Sequence, residues 1–65
     1  SHPNISPLAS VHPEAKLGEG VIVHPFAVIE ENTEIGEGCI IESHAVIKSG
    51  ARLGKHCHIH SGAVI

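Results

Sequence analysis

The sequence predicts an all-β solenoid, a parallel β-helix of about three and a half triangular coils, and three periodicities carry that prediction. Every sixth residue from Ile5 is a branched aliphatic: Ile5, Val11, Leu17, Val23, Ile29, Ile35, Ile41, Ile47, Leu53, Ile59 and Ile65. Two residues before each, from Val11 onward, stands a small one: Ala9, Ala15, Val21, Ala27, Thr33, Cys39, Ala45, Ala51, Cys57 and Ala63. The fragments LGEG, IGEG and LGKH, beginning at positions 17, 35 and 53, recur every 18 residues and so group the hexads in threes.

A helix of 3.6 residues per turn would scatter a six-residue repeat around its circumference, so helix is excluded. In a short strand the small residue and the aliphatic, two apart, share the inner face, and the residue between them points out. A hexad is too short to pair with itself as a hairpin. It buries its aliphatic only by stacking on the next coil, and each coil then touches only its neighbours.

With 18 residues per coil, the residues after the aliphatics stack in columns. Gly18, Gly36 and Gly54 fall at one corner. His12, Glu30 and Lys48 fall at the second, and Ser6, His24, Glu42 and His60 at the third. The outward residues separate the three faces. One shows Lys16, Glu34 and Arg52 and is solvated. The second shows Ser10, Val28, Val46 and Val64, and the third Asn4, Ile22, Ile40 and His58. Two adjacent faces with outward apolar side chains are expected to pack against other subunits. A threefold ring suits that arrangement. The expected interface residues are Ile22, Val28, Ile40, Val46, His58 and Val64.

Composition bounds the remaining choices. The core must be built without aromatic bulk, since the 65 residues include one Phe and no Trp or Tyr. A net charge of -3 with four basic residues provides no electrostatic footprint for nucleic acid or an anionic membrane. No apolar run approaches the roughly 20 residues that span a bilayer, so no membrane insertion is expected. No secretory leader pattern is visible, and two cysteines cannot staple a secreted scaffold, so a cytoplasmic location is expected. Residues 1–4 are expected to be a lead-in, with Ser1-His2 a tag remnant, and 5–65 the β-helix, an N-terminal part of a longer domain.

The repeat resembles the hexapeptide-repeat family, in which three hexads form one coil of a left-handed parallel β-helix; the left hand is taken from that resemblance. Within it, Ile5 to Gly54 is similar to the start of the UDP-N-acetylglucosamine acyltransferases of lipid A synthesis. The marks are hexads without a leading domain, VHPEAKLGEG from Val11, PFAVI (Pro25 to Ile29) and ESHAVI (Glu42 to Ile47). His24 and Glu30 depart from it, since both positions are commonly Gly there. The resemblance implies transfer of a 3-hydroxyacyl group from acyl carrier protein to the sugar 3-hydroxyl. It implies no cofactor or metal, and a histidine general base in a cleft between subunits of a homotrimer. That histidine lies on a coil beyond this segment, so no residue here inherits a catalytic or substrate-binding role and the chain is expected to be inactive alone. A γ-type carbonic anhydrase-like zinc protein and a non-catalytic trimerisation module remain as alternatives.

The stretch KHCHIHSG (Lys55 to Gly62) is the tempting chemistry, because His58 and His60 share a strand face, as zinc ligands can. Trimer contact is the favoured role for His58. No native metal is expected, and His58 and His60 are the residues that would hold one. His56 takes the turn position of Gly20 and Gly38, and histidine is among the residues that tolerate positive φ. Glu42 is placed to pair with His24 or His60, one coil away on either side. Cys39 and Cys57 stack in the small inner column, where they fill space rather than form a disulfide.

Overall fold

A computed structural model describes residues 2–65; Ser1, half of the expected tag remnant, lies outside the described residues. Among the described residues, ten two-residue strands wind into three parallel sheets. The first contains β1 (Asn4–Ile5), β4 (Ile22–Val23), β7 (Ile40–Ile41) and β10 (His58–Ile59). The second contains β2 (Ser10–Val11), β5 (Val28–Ile29) and β8 (Val46–Ile47), extended by a bridge from Val46 to Val64. The third contains β3 (Lys16–Leu17), β6 (Glu34–Ile35) and β9 (Arg52–Leu53). Each of β1 through β7 pairs with the strand 18 residues on, as in Ile22 with Ile40 and Ile41 with Ile59. The other two sides of the triangle supply the long crossover that parallel pairing requires.

Each strand places its first residue outside and its second inside. Val21, Val23, Ala27, Ile29, Ile35, Cys39, Ile41, Ala45 and Ile47 form the buried core. The aliphatic column is sealed only in the middle coils. Ile5 and Ile65, at its two ends, are 40% and 46% exposed, because each is covered by a coil on one side only. Thr33 is the single buried polar residue among those described, and its hydroxyl donates to the Glu30 carbonyl at 3.0 Å.

Two devices turn the corners. From Gly20 onward, the residue before each small inner one has positive φ: Phe26 at 69°, Asn32 at 56°, His44 at 65° and His56 at 59°, with glycines at the remaining turns. In the His24–Ala27 turn the Ala27 amide donates to the His24 carbonyl at 3.4 Å, and Pro25 precedes the left-handed Phe26, the pattern of a type II turn. The first two turns, Ser6–Ala9 and His12–Ala15, keep the backbone bond at 3.0 Å and add a side-chain cap. Ser6 Oγ accepts from the Leu8 amide at 3.1 Å, and His12 Nδ1 from the Glu14 amide at 3.0 Å. At the Gly18–Gly36–Gly54 corner the reason for glycine is proximity rather than φ. A Cβ at Gly36 would stand 2.6 Å from the Gly54 carbonyl group.

Candidate functional site

An open concavity lies at the exposed end of the first coil, lined by core aliphatics such as Ile5, Val11 and Leu17. Its one histidine, His12, is already committed to the Glu14 amide. Reactive side chains converge instead on the outside of β7 and β10. His58 points out from β10; His60 follows Ile59 at the adjoining corner, and Glu42 follows Ile41 at the same corner one coil earlier. Alternation about Ile59 puts both imidazoles on one side of the strand. Their rings stack with centroids 4.4 Å apart and planes 26° from parallel.

Glu42 binds this pair from below. His58 Nε2–H donates to Glu42 Oε2, and His60 Nδ1 lies 4.0 Å from the same oxygen. The His58 hydrogen bond holds the Glu42 carboxyl below the ordinary carboxylate range, with further help from the charges of His58 and His60 and from the Ser61 backbone amide. All three side chains reach solvent, so the pair adds little to folding. One nitrogen from each histidine and one Glu42 oxygen lie within 4.8 Å of one another, the only such group of three among the described residues.

The structure therefore brings His58 and His60 together, as the strand pattern predicts, and adds Glu42. Glu42 has His58 as its main partner and His60 at the edge of ion-pair distance, and among the described residues no ion pair joins it to His24. The reason is geometric. The His58 side chain leans from its face toward the corner, where Glu42 emerges from the coil before. Column reasoning alone compares residues directly above one another and misses this diagonal.

The other singled-out residues take structural places. The His56 ring lies over Gly38, where an added Cβ would be 2.3 Å from its Nδ1. His44 stacks on Phe26 with centroids 5.4 Å apart. Cys39 and Cys57 are both free thiols. Cys39 donates to the Gly54 carbonyl at 3.0 Å, and burial pushes its pKa up. Lys16, Glu34 and Arg52 form a solvated face on which Arg52 meets Glu34 at 3.3 Å. On the two apolar faces Val28, Ile40 and Val46 are half-buried, while Ile22 and Val64 are exposed at 36% and 63%. No helix among the described residues is long and apolar enough to cross a membrane.

Two solved structures are close to this one. The UDP-N-acetylglucosamine acyltransferase from Campylobacter jejuni superposes with a TM-score of 0.93 at 29% identity, over 95% of this chain and 25% of its own. The Arabidopsis UDP-N-acetylglucosamine acyltransferase gives 0.91 at 37% identity, over 92% of this chain and 21% of its own. The chain thus spans about a quarter or less of the enzymes it matches. A comparison with curated protein sequences gives no match. The family model for the bacterial transferase hexapeptide (six repeats) matches residues 32–65. With its three parallel sheets and 18-residue register, this match identifies the coil as a left-handed parallel β-helix, and the chain belongs to the bacterial transferase hexapeptide family.

Proposed function

We propose that this chain is scaffold for an O-acyltransferase that moves a 3-hydroxyacyl group from acyl carrier protein to the 3-hydroxyl of UDP-N-acetylglucosamine, the first step of lipid A synthesis. The observation that carries the reading is the superposition on two UDP-N-acetylglucosamine acyltransferases over more than nine-tenths of the chain. The coils bring no catalytic base to this reaction. Their seven histidines include turn residues, an aromatic stack and the Glu42 cluster, and the resemblance puts the general base on a coil beyond this segment. The chain alone is accordingly inactive.

Its part in the enzyme is to hold subunits together as a cytoplasmic homotrimer. The support is the pair of outward apolar columns, Ile22 and Ile40 on one face and Val28, Val46 and Val64 on the next. His58 continues the first column and lies at the rim of the contact. Aliphatic columns on adjacent faces of a triangular prism bury one another when three prisms associate about a common axis. The test is transfer of radiolabelled 3-hydroxyacyl groups from acyl carrier protein to UDP-N-acetylglucosamine by the protein of the complete reading frame. Acylated sugar nucleotide is expected from that protein and none from residues 1–65 alone. Absence of transfer by the complete protein overturns the reading.

A further inference from the structure

We propose that Glu42, His58 and His60 form a binding site for a borderline divalent cation of the zinc type, held entirely within one chain. The observation is the convergence of two imidazole nitrogens and one carboxylate oxygen from adjacent coils within 4.8 Å. Two histidines and one carboxylate are a zinc donor set that leaves a fourth position open for water. Two imidazoles disfavour calcium and magnesium, which prefer oxygen cages.

The geometry needs little adjustment. Tetrahedral bonds of about 2.1 Å put donors about 3.4 Å apart, so the widest pair closes by no more than about an ångström and a half and the hydrogen-bonded His58–Glu42 pair opens to admit the ion. Exposed side chains supply that movement by rotation. His60 and His58 are 77% and 46% accessible at their side chains, and their strand is held to β7 by bonds from the Ile40 and Glu42 amides to the Cys57 and Ile59 carbonyls. The rings already lie side by side. Glu42 is held by its hydrogen bond from His58, which also keeps it in the carboxylate form that ligates. The remaining histidines do not compete as a group, since no other set of three donors converges among the described residues.

The site does not depend on the proposed acyl transfer, nor on assembly, because one chain supplies every donor. Zinc(II) alone is titrated into the metal-free chain against a chromophoric chelator, with circular dichroism confirming that each variant keeps its strands. One zinc per chain is expected. His60→Ala, His58→Ala and the conservative Glu42→Gln each weaken it by at least about tenfold, a loss typical even of groups that only support a ligand. His24→Ala and His2→Ala leave it unchanged. Absence of stoichiometric binding, or binding that survives His60→Ala and falls with His2→Ala or His24→Ala, overturns the site.

Discussion

Replacing Gly36 with alanine tests how closely the coils approach. The new Cβ would stand 2.6 Å from both the carbon and the oxygen of the Gly54 carbonyl and 2.9 Å from the Lys55 nitrogen. These are backbone atoms, so no rotamer change relieves the contact. Moving from 2.6 Å to the 3.4 Å where ordinary contact begins opens the corner by about 0.8 Å. The bonds that span it, Gly36 amide to Leu53 carbonyl at 2.9 Å and His56 amide to Glu37 carbonyl at 2.8 Å, must stretch with it. Overpacking of this kind costs about 1–3 kcal/mol, and one weakened hydrogen bond about 1 more, for a loss of about 2–4 kcal/mol. In a domain of this size that lowers Tm by about 10–30 °C.

Gly54 is the internal control. It belongs to the same column, yet an added Cβ there meets nothing within 4 Å, and its φ is not positive. Gly54→Ala should stay within about 0.5 kcal/mol of the parent, or gain slightly from a stiffer unfolded chain. The assay is thermal and urea unfolding of the parent and both variants at one protein concentration, because assembly makes the midpoint concentration-dependent. Equal stability of the Gly36→Ala and Gly54→Ala variants would refute the stacking at this corner.

The packing of the coils and the Glu42 contacts set three further outcomes. Ile41→Ala should cost about 2–5 kcal/mol in urea unfolding, while Ile65→Ala, at 46% exposure, should cost far less. Cys39, fully buried and with its thiol pKa raised, should resist a thiol reagent in the folded protein and react on unfolding, read by peptide mass spectrometry. The Glu42 carboxyl is lowered by its folded partners, so its contribution is complete above the ordinary carboxylate range and lost as pH falls through the lowered value. The gap in Tm between parent and Glu42→Gln should therefore narrow on acidification, and a gap that widens would contradict the His58 pairing.

The coil was legible because every hexad repeats one local solution. The aliphatic column, the 18-residue register and the glycine corner are all periodic signals, and each appears in the strand pairing of β1 through β10. The His56 turn was readable for the same reason, since Gly20 and Gly38 mark positive φ at that place in the two coils before it. The candidate site was half legible. His58 and His60 follow from alternation within one strand, but the diagonal contact from His58 to Glu42 depends on how a side chain leans between a face and a corner. The stack of Phe26 on His44 and the Cys39 bond to the Gly54 carbonyl are likewise set by rotamers, which a repeat pattern does not encode. The depth of burial also escaped the repeat. Eleven aliphatics in phase read as equal, yet Ile5 and Ile65 are open where Ile41 and Ile47 are fully covered.

On the proposed reading, the apolar columns on two faces of this coil are contact surfaces between copies of the chain. Sedimentation equilibrium of the chain, alone and with Ile22→Lys and Ile40→Lys together, tests it most directly. The parent should sediment at about three times its 6.8 kDa mass, and the lysine variant, its column charged, should fall to a single chain or unfold. A folded parent that stays at 6.8 kDa at every concentration would contradict the claim.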